Sequence, residues 1–311
     1  MRYWHGSMIV VRPLLVFFNL HKIYQIMAIV CGILCICILL QLVHKKYYGL
    51  GIAWVIGWIM TASWNVPWCL EYVWTYLIMM VATMITIHKA DKEMSQRKWN
   101  LLFLVTVMLT CFFDFLTTEI ITLFVPVIVL IGIRYYQKKW TKNSWKQLLQ
   151  WIIFWGIGYV AMWLTKWVLA SLILQVNAWD YVKEKMFFRM NPMSKKRFDI
   201  SMFLGVWKRN FNVLIPFSWI QDSYIKGAIV VAMLATAIIL CKKDRKHIGI
   251  LCLFFGIALI PYIRYAVLPQ HSFSHFIFTY RSQIITIMAY VMGICCSMDR
   301  ESLTKPIRKK R

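Results

Sequence analysis

Acidic residues are scarce in this chain. Twelve Asp and Glu stand against 36 Lys and Arg in 311 residues, a formal net charge of +24. Proline (8) and glycine (13) are also few, which excludes collagen-like and low-complexity chains. No internal repeat stands out. The nine cysteines form no CxxC and no Cys/His pattern with metal-ligand spacing, so they read as small core residues and no metal or cofactor is expected. Cys295 and Cys296 read as a packed thiol pair. The opening stretch "MRYWHGSMIVVRPLLVFFNLHK" lacks a small-residue cleavage site, and Arg12 and Pro13 interrupt its apolar run, so it is not a signal peptide.

What is present is apolar surface. Hydrophobic residues make up 60% of the chain, with 16 Trp and 18 Met, and the mean hydropathy is +0.61. A soluble domain of this length has no use for so much. Long apolar runs alternate with basic clusters, the pattern of an all-α, polytopic transmembrane helical bundle. Lipid offers no partner to an unpaired backbone amide, which makes helices the natural spanning element. About nine crossings are expected, over 23–43, 49–63, 67–87, 101–114, 118–133, 149–174, 227–241, 248–267 and 282–297. A "WNVPW" turn separates the second and third, and a "DFLTT" turn the fourth and fifth. Residues 1–311 read as a single integral membrane domain, with an external or interfacial segment at 1–22, an external loop at 175–226 and a basic tail at 298–311. Nucleic acid is not an expected partner, because no basic domain stands apart from the spans.

Orientation follows from the basic residues. The segments 44–48, 88–100, 134–148, 242–247 and 298–311 hold 21 Lys and Arg, against 13 in the segments on the other side. The richer side, with the C-terminus, is expected to be cytoplasmic. That leaves the N-terminus outside, so the reading frame is expected to begin within a longer protein that supplies one more span upstream.

The charges within the spans share a depth. At 1.5 Å per residue, Lys166 lies roughly 27 Å from its cytoplasmic entry and Arg264 roughly 24 Å. Asp114 and Glu119 occupy the outer turn of their hairpin and Glu71 the outer start of its span. His271, His275 and Arg281 follow in "PQHSFSHFIFTYRSQ". Two readings compete. In one, these are interfacial residues, wet or snorkelling, with Lys166 paired to Asp114 for assembly. In the other, they line an outward-facing polar cavity for a sugar and a phosphate. Phosphate is then assigned to Arg264, His275 and Arg281, with Glu119 and Lys166 at the substrate. Asp114 and His271 take the catalytic roles. Asp114 competes for this as a helix cap, and Glu119 as an anion at a helix N-terminus. If 271–275 is helical, the two histidines share a face. Trp155, Trp163 and Trp167 read as packing or belt residues. The run Lys195, Lys196 and Arg197 reads as a solvated loop or a contact for anionic lipid.

Four stretches, "RYWHGSMIVVRPLLVFF", "FFDFLTTEIITLFVP", "WGIGYVAMWLTKW" and "HSFSHFIFTYR", resemble a group of uncharacterised polytopic proteins from Gram-positive bacteria that look like the GT-C superfamily of membrane glycosyltransferases. The resemblance runs from residue 2 to about 290. It implies a hexosyltransferase-like enzyme of the bacterial cell membrane and cell envelope. The donor would be a polyprenyl-phosphate sugar used at the external face, and the acceptor a saccharide or a lipid. It also implies a catalytic Asp or Glu in the first external loop. That loop is absent here, and "RYWHG" looks like its trailing end, so the chain resembles an N-terminally truncated copy. Glu119 stands where the group often has Pro or Tyr. A flippase or other transporter of lipid-linked saccharide is the alternative, as is a non-enzymatic membrane component of cell-envelope assembly. A transporter should carry ionisable groups or broken helices near the midplane. The shallow charges, and Pro126 read as the only proline inside a span, weigh against it.

Overall fold

The computed structural model describes residues 4–92, 94–114, 117–141, 144–190, 200–215, 223–244 and 247–298. Among these every regular element is helical. The first is α1 (Ser7–Phe17), which runs unbroken through Arg12 and Pro13. Pro13 lies inside the helix, beyond its first turn, so its missing N–H removes the bond that the Ile9 carbonyl would otherwise accept. Next come α2 (Leu20–His44), capped by Asn19, whose side chain accepts from Lys22 N at 2.9 Å, and α3 (Tyr48–Met60). The "WNVPW" segment forms a 3-10 turn, Ser63–Trp68, entered through Ala62 at φ 47°. Then follow α4 (Val73–Lys89), α5 (Gln96–Phe113), α6 (Ile121–Tyr136) and α7 (Ser144–Leu174).

Two shorter helices, α8 (Ala178–Met190) and α9 (Ile200–Asn212), occupy the long loop, and α10 (Ser223–Lys243) follows. The chain ends in α11 (Ile248–Ala258), α12 (Ile260–Val267), the short α13 (Pro269–Ser274) and α14 (Phe276–Thr279), a 3-10 turn over Tyr280–Gln283, and α15 (Ile284–Ser297).

The centre of the bundle is α6. From Ile121 to Ile133 every residue is buried, and Tyr135 is too. Helix α4 packs along one side of it and α15 along another, while α3 and α11 flank α15. Helices α2, α7 and α10 form the rim. On α2 the exposed residues Ile29, Ile33, Ile36 and Leu40 make one continuous apolar stripe at i, i+4, i+7 and i+11. On α7 Ile153, Ile157, Val160, Leu164, Val168 and Leu172 do the same. Apolar stripes of this length facing outward have lipid as their natural solvent. Among the described residues, five helical stretches are long and apolar enough to cross a membrane: Leu20–His44, Ser144–Leu174, Ile225–Lys243, Ile248–Val267 and Phe276–Ser297. Apolar helices too short for that measure are Ser7–Phe17, Tyr48–Met60, Val73–Lys89 and Ile121–Tyr136.

One span is interrupted where the sequence reading expected none. Helix α6 is continuous through Pro126, whereas 248–267 is divided at Leu259, just before Pro261. Proline has no N–H and restricts the residue before it. The turn tightens, with Tyr262 N donating to Leu259 O at 3.0 Å. The freed carbonyl of Ala258 accepts from Thr286 Oγ1 on α15 at 2.7 Å. A neighbouring hydroxyl thus supplies the bond that lipid cannot.

Candidate functional site

The polar side chains gather where α4 and α6 begin. Asp114 ends α5 and is buried. Its carboxylate accepts from Thr75 Oγ1 at 2.9 Å and from Thr117 N at 3.0 Å, and also from Thr117 Oγ1. This is the turn-capping arrangement, and it fixes the α5–α6 hairpin to α4. The expected pair with Lys166 does not form at this carboxylate. Lys166 lies instead over the ring of Trp4, 5.0 Å from its centroid, and Trp4 Nε1 donates to Met162 O at 3.2 Å. The N-terminal segment therefore packs on α7 and takes up the lysine.

The ion pair at this level joins Glu119 to Arg264, 145 residues apart. Arg264 Nε meets Glu119 Oε1 at 2.8 Å and Nη2 meets Oε2 at 3.0 Å, a two-pronged contact between buried groups. Arg264 Nη1 also reaches Ser272 Oγ at 3.4 Å. The guanidinium assigned to phosphate is thus engaged by Glu119. Sequence spacing gave no hint of this partner. The two residues were placed at one depth, and that was the available signal.

His271 and His275 share a face as expected, with ring centroids 4.7 Å apart. His271 is buried and His275 exposed. Trp155, Tyr159, Trp163 and Trp167 form a ladder of ring contacts along α7, in keeping with packing rather than a sugar platform. Lys195, Lys196 and Arg197 lie outside the described residues.

Arg281 is different. It sits in the 3-10 turn before α15, only 7% exposed. Its guanidinium carbon lies 4.9 Å from the Tyr280 ring centroid and 5.5 Å from that of Tyr72. Nη1 donates to Ile277 O at 2.8 Å, while Nε is buried with no partner. Beside it opens a cavity of about 600 Å³ lined by Ala62, Asn65, Asn212, Val213, Ile215, Lys226, Ile277, Tyr280 and Arg281. Among the described residues its lining holds two cations and no carboxylate. The second cation, Lys226, is buried at the start of α10, and its Nζ donates to the Asn212 carbonyl. Sequence reasoning placed Lys226 in the external loop and gave it no role. Its position at the mouth of a span, at the level of Arg281, was the clue available. Asp114 is separated from this cavity by the first turn of α4, where Tyr72 both faces Arg281 and accepts from Thr118 Oγ1 at 3.1 Å.

No family model, no curated protein and no solved structure matches this chain. The geometry therefore stands by itself. A half-open cavity with two buried cations, two asparagines and a tyrosine suits an anion with further hydrogen-bonding groups, such as a phosphate ester. Among the described residues no group of three or more His, Cys, Asp or Glu is arranged to hold a metal ion.

Proposed function

We propose that this chain is a GT-C-like membrane glycosyltransferase of about nine crossings in the bacterial cell membrane. In this reading it takes a sugar from a polyprenyl-phosphate carrier at the external face, and its C-terminus is cytoplasmic. The observation that carries the proposal is the cavity between Arg281 and Lys226, with a buried guanidinium nitrogen still unpaired. Burying a cation without an anion is costly, and a phosphate entering here would supply the missing partner.

The acceptor oxygen attacks the anomeric carbon, the bond from that carbon to the phosphate oxygen breaks, and its electron pair leaves with the phosphate. Arg281 and Lys226 offset the charge that develops there. Asp114 and Glu119 are held by Thr75, Thr117 and Arg264, so they act as framework. The acceptor proton goes to the adjacent histidine pair His271 and His275, of which His275 is the exposed member.

Polyprenyl phosphate binding to the purified full-length protein tests this. Arg281→Ala and Lys226→Ala should each lose most of the binding, and Arg281→Lys should keep part of it, retaining charge without the planar fork. Normal binding by Arg281→Ala would move the phosphate seat elsewhere and overturn the assignment. A transporter of lipid-linked saccharide is the second reading, favoured by the break at Leu259 within 248–267. The two differ in product: an enzyme releases the carrier phosphate from the sugar, and a transporter returns the lipid intact.

A further inference from the structure

At the opposite end of the bundle, where α4 and α6 finish, lies a second hollow of about 240 Å³. Its lining is Ala90, Lys92, Met94 and Trp99 from the α4–α5 side, and Arg134, Lys139, Thr141, Ser144 and Gln147 from the α6–α7 side. We propose that this hollow binds a phosphate group, held by Arg134, Lys92 and Lys139 against the first turn of α7.

Four observations converge. First, the described lining holds three cations and no acidic residue. The nearest described carboxylate, Asp91, is already engaged. Lys45 Nζ donates to it, as do Tyr47 OH at 3.0 Å and Gln137 Nε2 at 2.7 Å. Partial burial works to raise the Asp91 pKa, but these bonds and the Lys45 charge outweigh it and hold the carboxyl ionised below its usual range. Its charge is therefore spent on that cluster.

Second, Arg134 is pre-set. Its guanidinium carbon stacks 5.0 Å from the Trp151 ring centroid and 5.9 Å from that of Trp99, and Nη1 donates to Gln147 Oε1. A stacked guanidinium with spare N–H groups is a directional receptor for a phosphate oxygen. Third, the indole Nε1 of Trp99, a residue only 1% exposed on the hollow's wall, has no hydrogen-bond partner in the protein. A buried donor left unpaired costs free energy that a ligand oxygen would recover. Fourth, α7 is 31 residues long and starts at Ser144. Its first-turn amides have no intrahelical acceptor, and Ser144 Oγ instead accepts from Thr141 N at 3.0 Å. Basic pockets between helices at a membrane face also match the chemistry of anionic lipid heads. The phosphate belongs either to such a head or to a free phosphate.

Native mass spectrometry of the full chain in neutral detergent, with phosphatidylglycerol or inorganic phosphate added separately, tests the proposal. One bound phosphatidylglycerol, or one bound phosphate, should be lost or weakened by about tenfold or more in Lys92→Gln/Lys139→Gln and in Arg134→Gln. It should persist in Arg281→Gln, whose side chain lies at the other end. The double lysine variant alters exposed side chains, so it folds even if Arg134→Gln does not. Retention of the lipid alone assigns the site to a headgroup, and retention of both assigns it to phosphate itself. Absence of both adducts, or adducts indifferent to the lysine variant, would overturn the proposal. An adduct lost only in Arg281→Gln would overturn it too, because the binding then belongs to the other cavity.

Discussion

At the scale of single residues, the buried carboxylates Asp114 and Glu119 are both engaged by neighbouring side chains. Glu119 neutralises Arg264 in a buried, two-pronged contact. Removing one partner from such a pair leaves a charge with no compensation, at a cost of about 3–5 kcal/mol. Glu119→Ala should therefore lower thermal stability in detergent sharply, while Glu119→Leu/Arg264→Met should recover much of the loss. A double variant no more stable than Glu119→Ala would mean that the pair is not what Glu119 contributes. Arg281 presents the reverse case, a buried cation with a nitrogen unpaired, and it is there that a ligand gains most. The sequence singled out both arginines by depth and charge. It had no means of separating them, because the difference lies in a glutamate 145 residues away from Arg264.

At the scale of elements, small residues set how closely helices approach. Gly158 on α7 faces α5, where an added Cβ would sit 2.6 Å from Val107 Cγ1 and 3.3 Å from the Leu104 carbonyl oxygen. Membrane helices rely on such close backbone approach, since lipid provides no hydrophobic drive to press them together. Gly158→Leu should force α5 and α7 apart. The measurement is thermal unfolding in detergent, where the variant should lose about 1–3 kcal/mol or more, and an unchanged midpoint would show that α7 tilts freely to make room. The same helices illustrate what periodicity conveys. Each apolar run contains a helix, one of them divided in two, and the turns at "WNVPW" and Asp114 lie between helices. Helix α1 runs on through Pro13, whereas the chain breaks before Pro261, where no break was expected. Proline is neutral or disruptive according to where it falls in the hydrogen-bond ladder and what stands beside it.

At the scale of the whole molecule, two polar hollows sit at opposite ends of a bundle whose rim helices α2, α7 and α10 present apolar stripes. The asymmetry of 21 against 13 basic residues argues that the hollow near Arg134 faces the cytoplasm and the one near Arg281 the exterior. Reporter fusions after Lys98 and Lys139 should both report cytoplasm, and an external signal from either would invert or break this map. The sequence by itself determined the helical class and the presence of helices long and apolar enough to cross a membrane. Those follow from hydropathy and from the obligation of every backbone amide to be paired. Only the tertiary structure decided which charges are already neutralised and which still lack a partner. Arg264 finds Glu119, Asp114 finds Thr75 and Thr117, and Lys166 finds Trp4, each through a fold that joins distant segments. Arg281 and Lys226 are brought to one cavity from either side of more than fifty residues of chain, with Arg281 Nε unpaired and no carboxylate among the described residues of its wall. Charge pairing depends on distances of a few ångströms, and those are fixed by packing across the bundle rather than by spacing along the chain.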